Sequence, residues 1–350
     1  MQEAAKRHLG WLLRAGFGLT LAVASPLTAA VPPLAPAPVP SSGQGAIVDL
    51  DAMVVRGVQP GPGLWKVTKG DHTLWILGTI APLPAGIRWQ ANDVEQAIAQ
   101  SQQVLATPYV KLEADVGFFG KLALVPSAMK AMKNDDGATL QQVLPPDLYA
   151  RWLPLKQHYL GRDSGIEKKR PMVAAGELYQ AAIKKSGLSR KPVVWPVVEA
   201  AAKRHGLKPT PTTLEFKVSD PKQAIQEFRA GGMDDSACFR SLLNAVQNDL
   251  PTMVERANAW AVGDIEALRR MPREDPAGAC SAAISDTEFA RRRGMDRLQQ
   301  RMRDHWLGIA RRALRDNVGT FAVVPLSDLL AADGYLTALA AEGYSIESPE

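Results

Sequence analysis

Thr320-Phe-Ala-Val-Val324, then Ser327 through Ala341, then Gly343-Tyr-Ser-Ile-Glu347 close the chain as strand, helix and strand. The first run is apolar throughout, the pattern of a strand buried on both faces. The middle piece sets Leu329, Leu330, Leu336 and Leu339 at helical spacing. Two strands joined through a helix argue for mixed α/β architecture with at least one parallel pair.

The pattern upstream extends this sheet and covers it. Leu64-Trp-Lys-Val-Thr68 and Thr73-Leu-Trp-Ile-Leu77 are β-prone runs around the turn-like Lys69-Gly-Asp-His72, a hairpin. The second run ends in Gly78-Thr-Ile80, and Ala81-Pro-Leu-Pro84 then forces a loop at its carboxyl end. A helix follows over residues 92–101, a short strand at Val104-Leu-Ala106, and mostly helix over 113–200, with starts at Pro146 and Pro171. Thr210 to Val218 reads as a strand. Apolar residues from Phe239 to Trp260 recur every three or four positions, one long helix kinked at Pro251. Gly263-Asp264 ends it and caps the next, and a second long helical stretch runs from Asp286 to Asp316. The expected fold is mixed α+β, a β-sheet core extensively covered by helices, without an internal repeat.

The amino terminus reads as an export signal. Lys6, Arg7 and Arg14 precede the apolar run Ala15 to Ala24, and small residues follow. That order describes a cleaved signal peptide over residues 1–30, cut after Ala30 or after Ala24. The rival, an uncleaved anchor, needs about 20 apolar residues, more than this run offers. Residues 31–45 are a Pro-rich linker, extended and solvated. The folded domain is 46–350, and its expected location is the periplasm or the medium, with no transmembrane anchor after cleavage.

The formal charge of +5 becomes +3 without residues 1–30, which hold three Lys/Arg and one Glu. Nucleic acid is excluded as a partner on that balance. The runs Arg291-Arg-Arg293 and Arg311-Arg312 are solvated helix faces. Cys238 and Cys280 have neither a second Cys nor a His at metal spacing, so in an oxidising compartment they form a structural disulfide rather than a reactive thiol or metal site.

Familiar catalytic patterns are missing: no Gly-x-Ser-x-Gly elbow, no His-Glu-x-x-His, no Gly-rich phosphate loop with Lys. Beyond residue 30 the histidines are His72, His158, His205 and His305, and no two share a ligand spacing.

Several segments carry a family resemblance in order along the chain. They are Leu64-Trp-Lys-Val with Leu74-Trp-Ile-Leu-Gly-Thr-Ile80, Ile166-Glu-Lys-Lys-Arg-Pro171, Thr213-Leu-Glu215, Trp260-Ala-Val-Gly-Asp264, and Phe321-Ala-Val-Val with Asp333-Gly334 and Glu342-Gly-Tyr344. Together they resemble the TraB/GumN family. The resemblance implies an erythromycin esterase/ChaN-like fold and, from the family's animal Tiki members, a metal-dependent protease built on two Gly-x-x-His motifs, an acidic residue and an arginine. Imidazoles and a carboxylate at strand ends can hold a divalent metal that activates water.

The decisive positions differ. The first motif reads Gly78-Thr-Ile-Ala81, where a methyl group replaces the imidazole. The second reads Pro325-Leu-Ser-Asp328, with Pro for Gly and Asp for His, and the strand expected to supply Glu reads Val104-Leu-Ala-Thr-Pro108. Arg170 and Glu215 match, so Arg170, Glu215 and Asp328 are the candidate cleft residues.

The expected function is an exported binding or accessory protein that keeps the fold without the metal centre. It needs no cofactor, and its partner is a peptide, a small ligand or an envelope protein gripped by Arg170. The alternative is an active hydrolase in which Glu215 and Asp328 converge beside Ala81 to hold a divalent ion or act as base. Each candidate also has a structural reading: Gly78 as close packing, Arg170 as a helix start or surface ion pair, Glu215 as a solvated strand residue, and Asp328 or Ser327 as a helix N-cap.

Overall fold

A computed structural model describes residues 57–230, 235–271 and 276–349. The expected signal peptide (1–30), linker (31–45) and domain start at 46 lie outside the described residues. The described residues belong to one compact unit.

The strands longer than two residues are β1 (Leu64–Lys69), β2 (His72–Thr79), β3 (Gln103–Leu105), β4 (Val110–Ala114), β5 (Leu214–Val218), β6 (Gly319–Pro325) and β7 (Ser345–Glu347). Five of them form the central sheet in the order β7-β1-β2-β6-β3. The hairpin pairs β1 and β2 with Trp65 opposite Ile76, and His72 is the first residue of β2 rather than part of the turn. β6 lies parallel between β2 and β3, with Phe321 beside both Trp75 and Val104. Six of its seven residues are buried, as its unbroken apolar run requires. β7 runs antiparallel to β1 with Ile346 opposite Val67, so the parallel pairs belong to β6 and not to the last strand. β4 and β5 form a separate parallel pair; β4 was not anticipated, although its Val110-Lys-Leu-Glu-Ala114 alternation is a strand signal, and its last two residues fall in the stretch read as helix.

The helices include α1 (Asn92–Ala99), α2 (Phe118–Ala131), α3 (Pro146–Tyr159), α4 (Pro171–Lys185), α5 (Val194–Arg204) and α6 (Pro221–Ala230). Proline begins α3 and α4, where its missing N–H costs nothing. The long helix expected over 239–260 is three pieces: α7 (Asp235–Asn244), a π-turn (Ala245–Asp249) and α8 (Leu250–Val262). The bend comes from the π-turn, and Pro251 sits harmlessly in the first turn of α8. Gly263 takes φ +79°, the left-handed stop expected of it, and the Asp264 carboxylate accepts the Ala267 N–H at 2.8 Å.

After α9 (Pro276–Ser285) the helical stretch to Asp316 is also broken. A short helix Glu288–Arg292 ends before Arg297, which has φ +50°, and α10 (Leu298–Asp316) begins there. The closing helix splits into α11 (Leu326–Leu330) and α12 (Tyr335–Ala341). Gly334 lies at that break; a Cβ there would come 2.3 Å from the Asp328 carbonyl oxygen. The helix starts at Leu326 with Pro325 at its N-cap, so Asp328 and Ser327 lie in the first turn instead of capping it.

One core joins sheet and helices; Trp65, Trp152, Trp260, Trp306, Phe239 and Phe321 are fully buried in it. The fold is mixed α/β around a mixed sheet. Among the described residues no helix is long and apolar enough to cross a membrane.

Candidate functional site

β2, β6 and β3 run in one direction, so their carboxyl ends share an edge, the usual ligand position in open α/β sheets. Pro325, the last residue of β6, lies opposite Thr79, the last of β2. Two cavities open beside these ends, of about 670 and 790 Å³. Both are within the range of small-molecule sites. They share Thr79, Ile80, Ala81, Arg190 and Pro325, so the motif positions Ala81 and Pro325 do stand at one cleft.

The first cavity is walled by α4, α7 and α8: Tyr179, Asp249, Thr252 and Arg256 line it, with Ser327 from α11. Asp249 is the last residue of the π-turn, a distortion that often marks functional positions. The second cavity is walled by Tyr109, Trp195 and Lys208. Thr210 N–H donates to the Val104 carbonyl at 2.7 Å and Thr212 Oγ1 to the Ala106 carbonyl at 2.8 Å, which sets the Pro-rich segment 209–213 against the end of β3.

Arg190 reaches both cavities because its loop is tied to the loop after β2. Leu83 pairs with Ser189, and Ala85 N–H donates to the Gly187 carbonyl at 2.9 Å. Among the described residues, no side chain pairs with the exposed Arg190 guanidinium. Sequence reading passed over this residue; only the non-local pairing of two very short strands brings it to the cleft.

The expected candidates lie elsewhere. Arg170 precedes α4 and forms a two-pronged pair with Asp235 at the start of α7, Nε and Nη2 donating at 2.9 and 3.0 Å. Its guanidinium also covers the Phe228 ring at 5.2 Å. Glu215 is on β5, where it meets the Lys111 ammonium at 3.3 Å; hydrogen bonds from that ammonium to Glu215 and Glu113 raise the lysine's pKa. Asp328 lies in α11, where Ser327 Oγ donates to its Oδ1 at 3.5 Å. Neither cavity counts Arg170, Glu215 or Asp328 among its described lining. The hydrolase alternative needs Glu215 and Asp328 beside Ala81, and neither shares a cavity with it.

Gly78 is buried under the cleft. A Cβ there would stand 2.7 Å from Leu326 Cδ1 and 3.1 Å from the Trp65 ring, so close packing explains this glycine. Cys238 and Cys280 are bridged, joining α7 to α9 with Cα atoms 4.4 Å apart.

The family's two-histidine metal set is not present at the two motif positions. At the first motif's histidine position the Ala81 methyl offers no donor atom, and at the second the Asp328 carboxylate stands outside the described lining of both cavities. Among the described residues no three His, Cys, Asp or Glu side chains gather as a ligand set. The histidines are dispersed: His72 Nδ1 lies 2.7 Å from the Asn317 carbonyl, His158 Nε2 lies 2.7 Å from Lys185 Nζ, His205 ends α5, and His305 is on α10.

No curated protein and no solved structure matches the chain. The family model described as TraB/PrgY/gumN matches residues 63–348, from the first strand of the sheet past the last, and the chain belongs to that family.

Proposed function

We propose that this chain is an exported member of its family that has lost the hydrolytic metal centre and binds an acidic ligand at the carboxyl ends of β2, β6 and β3. The observation that carries the reading is Arg190. It stands beside Ala81, faces both cavities and has no carboxylate partner among the described residues. Lys191, Lys208 and Arg256 add positive charge to the lining against Asp249 and Glu199. Guanidinium groups bind carboxylates and phosphates with two parallel hydrogen bonds. Tyr109, Trp195 and the prolines beside them suit an apolar body attached to that acidic group. Arg190 thus takes the role first expected of Arg170.

Export rests on the basic, apolar and small order of residues 1–30, and the Cys238–Cys280 bridge supports a periplasmic or secreted location. The chain acts there as a binding or accessory protein.

Calorimetric titration with dicarboxylates, phosphate esters and short acidic peptides tests the binding reading. Arg190→Gln is expected to weaken the best ligand about 10- to 100-fold, the range of a charge-assisted hydrogen bond. Unchanged affinity in that variant rejects the site. Peptide hydrolysis that appears on adding zinc, manganese or cobalt, and disappears with chelator, rejects the loss of activity.

A further inference from the structure

Helix α2 leaves an apolar stripe uncovered. Phe118 is 75% exposed, Phe119 82%, Leu122 59%, Val125 50% and Met129 54%, with Met132 just beyond at 50%. Ala131 is the helix's only residue to be buried among those described. At 100° per residue Phe118, Leu122, Val125, Met129 and Met132 fall within a sector of about 80°. Globular proteins seldom leave such a strip bare, and when they do it marks a contact surface.

Within the helix and the two residues after it, every charge is positive. Lys121 borders one edge, and Lys130 and Lys133 border the other. Residues 118–133 contain no Asp or Glu. Lys121 lies 3.5 Å from Glu113, while Lys130 and Lys133 have no carboxylate partner among the described residues.

We infer that α2 docks on an anionic lipid bilayer, lying in the plane of the interface with its apolar strip in the acyl boundary and its lysines among the phosphates. An exposed apolar face with lysines at its borders suits the boundary between acyl chains and lipid phosphates. A second copy of the chain fits less well, because two such strips facing one another bring together the lysine edges, where Glu113 offsets Lys121 while Lys130 and Lys133 have no carboxylate partner among the described residues. Fourteen residues make a helix about 21 Å long, too short to span a bilayer of about 30 Å. The helix packs on α6 beside the β4–β5 pair, and Phe118 and Phe119 stack edge to face at its outer end with centroids 5.5 Å apart. This surface is distinct from the Arg190 cleft and does not depend on it.

Vesicle co-sedimentation of the purified protein tests this, with phosphatidylglycerol–phosphatidylcholine vesicles set against pure phosphatidylcholine. Binding is expected on the anionic vesicles, weaker on the neutral ones, and falling as salt rises from about 0.05 to 0.5 M. Phe118→Ser with Phe119→Ser is expected to weaken binding about tenfold or more. Lys121→Glu with Lys130→Glu is expected to lower it about tenfold or more on anionic vesicles. All four side chains are exposed, so circular dichroism and melting temperature should stay at wild-type values, while Arg190→Gln leaves vesicle binding unchanged. The inference is overturned if the wild-type protein ignores anionic vesicles, or if the phenylalanine variant binds as well as wild type. It is equally overturned if light scattering shows a dimer that the phenylalanine variant abolishes.

Discussion

Trp260 donates its indole N–H to the carbonyl oxygen of Gly78 at 2.9 Å, and both residues are buried. Through this bond α8 is fixed to the end of β2, three residues before Ala81. The Gly61 N–H, donating to the Ala261 carbonyl at 2.8 Å, adds a second tie from the strand side of the core to the same helix. Replacing the indole leaves a buried carbonyl short of a partner. Trp260→Phe is expected to cost about 1–3 kcal/mol in urea unfolding. Gly78→Ala forces Leu326 and Trp65 aside and should cost a similar amount, about 1–3 kcal/mol. Wild-type stability in both variants refutes the proposed coupling of helix to strand end.

Asp235 is the partner that lets Arg170 be buried: their side chains are only 5% and 14% exposed. Asp235→Ala strands a guanidinium inside the protein, and the expected loss is about 3–5 kcal/mol. Removing both charges together, Arg170→Met with Asp235→Leu, should recover most of it. Ligand affinity at the Arg190 cleft is expected to stay within about twofold in the double variant, since neither residue lines a cavity. A large loss of affinity there returns Arg170 to the binding site.

The bridge between Cys238 and Cys280 closes a separation of 42 residues. A loop of that length restricts the unfolded chain by about 4 kcal/mol in the chain-entropy model. Unfolding with and without reductant should differ by about that amount, and Cys238→Ser should match the reduced protein. Thiol titration of the unfolded, unreduced protein is expected to find no free thiol.

What the sequence made legible was local or strongly patterned. The β1–β2 hairpin follows from alternating residues around Lys69-Gly-Asp-His72, and β6 from its apolar run. Helix breaks were harder. Arg297 with φ +50° interrupts a stretch whose side-chain pattern is helical on both sides. The split at Gly334 comes from its close approach to the Asp328 carbonyl, a contact made only in the folded chain. The site was half legible for the same reason. Pro325 ends an apolar strand and Ala81 lies two residues past the end of another, so their place at the sheet edge follows from pattern. Arg190 follows a two-residue strand whose pairing with Leu83–Pro84 leaves no periodic trace. Arg170 was identifiable through the family motif Ile166-Glu-Lys-Lys-Arg-Pro171, yet its direction depends on Asp235, 65 positions away.

Tyr335 sets a limit at alkaline pH. It is 1% exposed and lies against Trp306 with ring centroids 4.1 Å apart. Burial pushes its hydroxyl well above the ordinary tyrosine value; the nearby Asp328 carboxylate raises it further, and Arg303 partly opposes both. The sign follows from which state ionises first. Below about pH 10 the hydroxyl is protonated in folded and unfolded chains alike, so its contribution to stability is fully present. Above that, the unfolded chain releases the proton and the folded chain holds it, so stability falls by about 1.4 kcal/mol per pH unit until the folded value is reached. Tyr335→Phe removes this proton, and its unfolding free energy should decline less steeply with pH than that of wild type between about pH 10 and 11. Asp328→Asn, which removes the second cause and leaves burial in place, should keep the slope between about pH 10 and 11 and lower the pH at which the decline ends. Parallel pH profiles for wild type and Tyr335→Phe, measured by denaturant unfolding at each pH, rule out this role for the buried hydroxyl.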